Sequence, residues 1–254
     1  EFSLEGKVAI ITGASRGIGK AIAETFARAG ARLALCSRKP EGLQAAAAEL
    51  REFGQVLAVP AHVGKADDVR NLVAQTMEAY GRVDVVVNNA ATNPHFGPVL
   101  TADEGQWLKI LDTNLLGAVR LIQAAAPHMQ EQGGGKIINM ASVAGLRPSP
   151  GMGLYGVGKA ALIQLTRQLA VELGAHNIQV NAIAPGIIET GFSQILWQTP
   201  QISEPLLARL PLGKFGQPRD VATLALYLAS PASDYVTGVV FSVDGGMAVA
   251  SVMG

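Results

Sequence analysis

The sequence predicts an α/β fold in which about seven parallel strands form a doubly wound, Rossmann-like sheet with helices on both faces. Short β-rich runs alternate along the chain with stretches whose apolar residues lie three and four positions apart. The strand-like runs are apolar at consecutive positions, which is typical of strands covered on both faces. A glycine-rich turn joins the first run to the first helical stretch, as in doubly wound folds.

The predicted elements follow one another as strand and helix. Strand composition is found in seven runs, at residues 8–11, 32–36, 55–60, 83–88, 136–140, 179–183 and 239–243. Helical periodicity is found at residues 20–29, 41–53, 66–80, 107–129, 154–173 and 218–228. Ligands of such sheets bind beyond the carboxyl ends of the strands, so we expect the loops after the strands to form the functional site.

The composition excludes several kinds of partner and site. The chain has 254 residues and no Pro/Gly/Ser-rich linker, so we expect a single domain over residues 1–254. A formal net charge of zero gives no support for binding to nucleic acid or to a membrane surface. No apolar run reaches the roughly 18 residues that span a bilayer. Cys36 is the only cysteine, which excludes an internal disulfide and a multi-cysteine metal site, and we expect no metal.

The same features suggest a cytoplasmic location. One cysteine suits a reducing compartment, and no apolar signal segment begins the sequence. Residues 1–2 are expected to be a cloning remnant.

The glycine-rich turn reads TGASRGIG from Thr12 to Gly19. Glycines let the backbone approach a pyrophosphate closely, and the start of the following helix offers unpaired N–H groups. The spacing differs from the common G-x-G-x-x-G fingerprint, and a purely structural tight turn is the alternative. We predict a dinucleotide phosphate site formed by Gly13, Ser15, Arg16, Gly17, Ile18 and Gly19.

The residues after the second strand indicate which dinucleotide is bound. An NAD enzyme needs an acidic residue here to hold the ribose 2′-hydroxyl, but the sequence has Ser37 and Arg38. Arg38 and Arg16 could hold a 2′-phosphate, and each charge-assisted hydrogen bond contributes about 1.5 to 3 kcal/mol. The prediction is therefore NADP(H). Alternatively, Arg38 and Lys39 only solvate the start of the next helix.

Three polar residues at the fifth predicted strand and in the helix that follows it suit carbonyl reduction. Ser142 follows the fifth strand, and Tyr155 and Lys159 lie four apart on one helix face, where both can reach one bound molecule. The phenol would donate a proton to the developing alkoxide, the ammonium would lower the pKa of the phenol, and the serine would orient the substrate oxygen. An exposed tyrosine beside a solvated lysine is the alternative.

The chain contains six features in this order: TGASRGIG, an Asn-Asn-Ala sequence that ends at Ala90, and then Asn114, Ser142, Tyr155 and Lys159. This series resembles the short-chain dehydrogenase/reductase family, and the resemblance extends over nearly the whole chain. The resemblance implies a catalytic tetrad of Asn114, Ser142, Tyr155 and Lys159, in which the asparagine holds a water for proton relay. It also implies cofactor contacts from Val63, Asn89, Tyr155, Lys159, Pro185, Gly186, Ile188 and Thr190. A local asparagine turn is the alternative for Asn89.

Two loops are predicted to line the substrate pocket. Residues 92–98 contain Phe96 and are too rich in Pro and Gly to continue a helix or strand. Residues 191–211 contain Phe192 and Trp197 among prolines and predict a partly mobile lid over an apolar pocket. An ordinary core-packing insertion is the alternative for this segment. With Ser142 and Tyr155, these aromatic residues form the predicted substrate site.

Local strings such as 93–97 and 148–151 are similar to the tetrameric NADP-dependent carbonyl and retinal reductases of the family. We expect an NADPH-dependent reductase of small apolar ketones and aldehydes, acting reversibly on alcohols and assembled as a homotetramer. One alternative is a 3-oxoacyl-[acyl-carrier-protein] reductase, which shares the tetrad. The other is a catalytically silent NADP(H)-binding regulator or scaffold.

Overall fold

The structure, a computed structural model, describes residues 1–250 of the chain. Within them, seven parallel strands form one sheet in the order β3-β2-β1-β4-β5-β6-β7. The strands are β1 Val8–Thr12, β2 Arg32–Ser37, β3 Val56–Pro60, β4 Val85–Asn88, β5 Gly135–Met140, β6 Ile178–Pro185 and β7 Val240–Val243. The predicted doubly wound sheet is confirmed, and no strand boundary differs from its predicted position by more than two residues.

Helices cover both faces of the sheet. They are α1 Gly17–Arg28, α2 Pro40–Leu50, α3 Ala66–Tyr80, α4 Glu104–Leu111, α5 Gly117–Glu131, α6 Gly153–Leu173, α7 Gln194–Gln198, α8 Pro200–Leu207 and α9 Pro218–Ala229. Helices α1, α2 and α9 pack on one face, and α3, α5 and α6 on the other. No helix within residues 1–250 is both long enough and apolar enough to cross a membrane.

The alternation of side chains along each strand divides the core between these two faces. On β1, Ala9 and Ile11 belong to the cluster under α1 and α9, whereas Ile10 belongs to the opposite cluster. Phe26 of α1 is completely buried in the first cluster. Removing such a side chain typically costs about 3 to 5 kcal/mol, so this face contributes substantially to stability.

Two predicted elements differ in the structure. The helix predicted over residues 107–129 is divided by a π-helical turn, Asp112–Leu116, which separates α4 from α5. The turn contains Asn114, whose side chain hydrogen-bonds backbone groups outside the helix, and such bulges often mark functional sites. The predicted lid, residues 191–211, contains the short helices α7 and α8.

The strand order places a crevice at the carboxyl end of β1. The chain passes from β1 to β2 and β3 on one side of β1 and then crosses back to β4 on its other side. Ligands of doubly wound sheets bind at such a switch point. The glycine-rich turn therefore lies where the topology predicts a ligand.

Candidate active site

The glycine-rich turn is tight because neighbouring groups leave no room for side chains. Gly13 and Gly17 have φ angles of +66° and +57°, which favour glycine. A Cβ on Gly13 would lie 2.8 Å from Nδ2 of Asn89, and one on Gly19 would overlap the carbonyl oxygen of Gly13. No side chain caps the start of α1, whose N-cap residue is Arg16. The turn and helix start therefore fit a dinucleotide pyrophosphate.

Thr12 and Asn89 hold this turn against β4. The buried Thr12 hydroxyl accepts hydrogen bonds from the backbone N–H groups of Asn89 and Ala90, both at 3.0 Å, and donates to the Val87 carbonyl at 3.2 Å. The Asn89 amide donates to the carbonyls of Thr12 and Gly13 at 2.9 and 3.2 Å. The Asn89 side-chain amide thus positions the turn itself, and Thr12 is a site residue that sequence reasoning missed.

The remaining residues of the turn lie close to the start of α2. The Cβ of Ser15 is 3.8 Å from the place that a Cβ on Gly42 would take. Ile18 packs, partly buried, against the core beneath α1. Ser15 and the backbone of Ile18 therefore remain at the predicted phosphate site.

Two cations, Arg16 at the start of α1 and Arg38 directly after β2, are available to an anion. Arg16 and Arg38 are exposed, and within residues 1–250 neither forms an ion pair. The Ser37 hydroxyl donates to the carbonyl of Lys39 at 3.4 Å. These groups fit the 2′-phosphate of NADP, which would have two unpaired guanidinium groups nearby.

Val63 closes the crevice on the β3 side. It is buried, and its carbonyl oxygen accepts a hydrogen bond from Arg120 at 3.3 Å. Arg120 also pairs with Asp112 at 2.6 Å and so ties the loop after β3 to the π-helical turn. This contact brings the predicted Val63 site next to Asn114.

The loop after β6 reaches the glycine-rich turn from the opposite side. Pro185 is the last residue of β6, and Gly186 N–H donates to the Val243 carbonyl at 2.9 Å. A Cβ on Gly17 would lie 3.3 Å from Cγ2 of Thr190, so Thr190 lies beside the turn. The Ile188 side chain is buried in the core, so we expect any ligand contact of Ile188 to come from its backbone.

Tyr155 and Lys159 lie one turn apart on α6, and both are buried. The Lys159 ammonium donates to the Met140 carbonyl at 2.5 Å and lies 5.5 Å from the centre of the Tyr155 ring. Ser142 follows β5 and accepts a hydrogen bond from Ala144 N–H at 3.2 Å. The structure therefore brings the serine, tyrosine and lysine of the predicted tetrad together.

The pKa values of this pair correct one sequence prediction. Burial raises the pKa of the Tyr155 phenol above its ordinary value, and the Ser142 hydroxyl partly opposes that rise. Burial lowers the pKa of Lys159 to about 8. The expected lowering of the Tyr155 pKa by Lys159 is wrong for the protein alone, because burial dominates and the ammonium is directed at the Met140 carbonyl.

Asn114 is buried in the π-helical turn. Its Oδ1 accepts from Thr92 N–H at 2.8 Å, and its Nδ2 donates to the Thr92 carbonyl at 2.9 Å. Asn114 and Lys159 line a common cavity of about 10 Å³, which is close to the space that one water molecule requires. The asparagine therefore fixes the loop after β4 and also faces the lysine through this cavity.

The three aromatic residues of the predicted pocket take different positions. The Phe192 ring lies 6.0 Å from the Tyr155 ring and is half-exposed, beside an open groove of about 410 Å³ along α7. Phe96 is mostly exposed and lies against Gly151. Trp197, which belongs to α7 of the lid, donates its indole N–H to the Thr190 carbonyl at 3.1 Å and packs against the cluster that contains Ile187 and Phe215. Phe192 is therefore beside Tyr155, whereas Trp197 anchors the lid.

A turn that fits a dinucleotide pyrophosphate at a sheet switch point, together with a buried phenol suited to proton donation, is typical of the dinucleotide-dependent oxidoreductases. Comparison with known proteins agrees with this class. The family model described as Enoyl-(Acyl carrier protein) reductase matches residues 13–248. The chain belongs to the short-chain dehydrogenase/reductase family, which confirms the resemblance found in the sequence.

Individual relatives are similar over nearly their whole length. Dehydrogenase/reductase SDR family member 4 of Oryctolagus cuniculus is 41% identical, covering 96% of this chain and 94% of the relative. A short-chain type dehydrogenase/reductase from Mycobacterium marinum is 39% identical with a TM-score of 0.91, covering 97% of both chains. A putative NAD(P) dependent gluconate 5-dehydrogenase from Beutenbergia cavernae, with NADP bound at low occupancy, is 35% identical with a TM-score of 0.92, covering 98% of this chain and 99% of its own.

Proposed function

We propose that the protein reduces ketones and aldehydes to alcohols with NADPH, reversibly, with Tyr155 as general acid and base. The observation that carries this proposal is the buried Tyr155, with Ser142 beside it and the half-exposed Phe192 ring 6.0 Å away. An open groove lined by Phe192 begins beside the Tyr155 ring, so a carbonyl compound could approach Tyr155 from the lid side.

The side chains suit proton donation to a carbonyl oxygen. Bound NADPH would supply the hydride. The Ser142 and Tyr155 hydroxyls would donate hydrogen bonds to the carbonyl oxygen, and Tyr155 would transfer its proton as negative charge develops there. The raised pKa keeps the phenol protonated at neutral pH, which is the state that reduction needs.

Lys159 and Asn114 would return a proton to the site. The Lys159 pKa of about 8 allows its ammonium to lose and regain a proton near neutral pH. The cavity shared with Asn114 has room for one water between the lysine and the π-helical turn. Asn114 thus serves as a positioning residue for this relay.

The preference for NADPH is supported by the unpaired Arg16 and Arg38 and by the absence of an acidic residue after β2. The relative from Beutenbergia cavernae, described as a putative NAD(P) dependent gluconate 5-dehydrogenase, holds NADP at low occupancy, which is compatible with NADP(H) as the cofactor of this chain. Comparing KM for NADH and NADPH tests the preference, and a lower KM for NADH would contradict it.

The remaining features of the proposal concern substrate and assembly. Phe96 and Phe192 favour a small apolar carbonyl or alcohol compound. The exposed Val157 and Val171 on α6, with Leu108 on α4, support a homo-oligomer, a tetramer by family resemblance. We propose a single-domain enzyme that acts in the cytoplasm.

NADPH oxidation measured across ketones, dicarbonyls and acyl thioesters tests this function. We expect Tyr155→Phe to abolish turnover of the preferred ketone while NADPH affinity stays near that of the wild type. Tyr235→Phe, at a fully exposed tyrosine, is the matched control and should leave turnover unchanged. Retained activity in Tyr155→Phe would refute the mechanism.

The same panel separates the alternatives. The description of the matching family model names acyl carrier protein, so preferential turnover of acyl thioesters would favour 3-oxoacyl-[acyl-carrier-protein] reduction. NADPH binding without consumption of any compound would favour a silent regulator or scaffold.

A further inference from the structure

The π-helical turn that contains Asn114 is held at its first residue. Such turns are rare, so we expect neighbouring groups to hold this one in place. The carbonyl of Asp112 accepts the π-helical hydrogen bond from Gly117 N–H. The same carbonyl accepts a hydrogen bond from Nη1 of Arg120 at 3.2 Å. The guanidinium therefore reinforces the backbone group that defines the turn.

Arg120 also joins this turn to the loop after β3. Its Nη1 donates to the Val63 carbonyl at 3.3 Å, and its Nη2 donates to Oδ1 of Asp112 at 2.6 Å. A guanidinium carries five N–H donors in a rigid plane, so one partly buried side chain binds all three oxygens. An ordinary surface ion pair, the alternative for Arg120 and Asp112, would not account for the two bonds to backbone carbonyls of separate segments.

The two segments that Arg120 joins are in close contact. A Cβ on Gly117 would lie 2.9 Å from Cγ2 of Val63, and one on Gly64 would overlap Oδ2 of Asp112. The loop after β3 therefore packs directly on the π-helical turn, and glycine is required on both sides of the contact. Arg120 forms hydrogen bonds to both of these segments.

The same contact forms one wall of the cavity that Asn114 shares with Lys159. Residues of both segments line this cavity, among them Val63, Gly117 and Asn114. Successive residues of a regular helix are rotated by roughly 100° about its axis. If the turn relaxed by one residue to a regular helix, Asn114 would rotate by about this angle and its amide would leave the cavity. The position of Asn114 thus depends on the turn that Arg120 holds.

We propose that Arg120 is a positioning residue of the proton relay, because it holds the π-helical turn in the conformation that directs Asn114 towards Lys159. This inference rests on the proposed reductase function, in which Lys159 and Asn114 return a proton to the site. Among residues 1–250, Arg120 is not one of those that line the cavity, so its effect on the relay is transmitted through the turn.

The first test removes the three hydrogen bonds and keeps most of the side-chain length. Arg120→Met should lower kcat for the preferred ketone by about 10- to 100-fold, because small displacements in a reacting site cost rate by such factors. KM for the ketone should stay within about twofold of the wild type. Arg120→Lys should recover part of the loss, because the ammonium keeps the pair with Asp112 without the planar fork. Arg70→Met, which removes an exposed ion pair with Asp67 on α3, is the control and should change neither constant.

A double-mutant cycle tests whether Arg120 acts through Asn114. In an Asn114→Ala background, Arg120→Met should lower kcat by less than about twofold, because the group that it positions is already gone. A merely structural role would lower kcat by the same factor in both backgrounds and would exclude the inference, as would a wild-type kcat in Arg120→Met. Urea unfolding establishes that every variant is folded under the assay conditions.

Amide hydrogen exchange separates this inference from the proposed function, since it needs neither cofactor nor turnover. Thr92 N–H donates to Oδ1 of Asn114 at 2.8 Å, so its exchange reports the position of that side chain. Exchange at Thr92 and over residues 112–117 should be about 2- to 10-fold faster in Arg120→Met and unchanged in Arg70→Met. If the wild type reduces ketones but Arg120→Met exchanges at the wild-type rate, the inference fails and the reductase stands. If the wild type reduces no carbonyl compound while exchange is faster in Arg120→Met, the reductase fails and the hold of Arg120 on Asn114 stands.

Discussion

Replacing Lys159 by Met should stabilise the protein at neutral pH while abolishing its activity. Burial lowers the Lys159 pKa from 10.5 to about 8, so below pH 8 the folded state contains a buried and poorly solvated ammonium group. At about 1.4 kcal/mol for each pKa unit, this charge costs about 3 kcal/mol. Loss of the hydrogen bond to the Met140 carbonyl offsets about 1 kcal/mol. Methionine has a similar length, so the expected net gain is about 2 kcal/mol.

The pH dependence has a definite sign. Because the folded pKa is depressed, the unfolded state binds more protons between pH 8 and pH 10.5, and wild-type stability rises with pH across this window. The methionine variant lacks this contribution. Its advantage should therefore be largest below pH 8 and disappear above pH 10.5.

Urea unfolding at neutral pH and again near the upper end of this window measures the effect, at fixed protein concentration and without cofactor. Lys109→Met, at an exposed lysine on α4, is the control and should show no such pH-dependent difference. A methionine variant less stable than the wild type at neutral pH, or a difference that does not change with pH, would contradict the reasoning.

Three further predictions concern the cofactor site. Arg38→Ala should raise the Kd for NADPH by about tenfold and leave NADH unaffected, because one charge-assisted bond is lost; fluorescence titration measures it, and equal weakening of both would count against the 2′-phosphate site. Thr12→Val should lower the free energy of unfolding by about 2 kcal/mol, because two partly buried N–H groups lose their acceptor; an unchanged urea midpoint would contradict this. Gly19→Ala should abolish NADPH binding, since its Cβ would overlap the Gly13 carbonyl; wild-type affinity in the titration would show that the turn can relax.

The fold was predictable because its signals are local. Consecutive apolar residues mark strands such as β1 and β5, helical spacing marks α3, whose predicted range was correct, and the glycines at 13, 17 and 19 mark the turn. The division of the helix predicted over 107–129 was not predictable, because the π-helical turn is accompanied by hydrogen bonds from Asn114 to Thr92. Those hydrogen bonds join residues that are 22 positions apart, and no local sequence pattern indicates them.

For the site, the sequence by itself determined the residue types and the order of the elements that bring Ser142, Tyr155 and Lys159 to one edge of the sheet. Only the folded structure shows that the Asn89 amide binds the carbonyls of a turn 76 and 77 residues earlier and that Trp197 anchors the lid. It also shows that burial raises the Tyr155 pKa, which Lys159 was expected to lower. Hydrogen-bond partners and desolvation depend on groups brought together from distant parts of the chain, whereas periodicity and turn chemistry are properties of neighbouring residues.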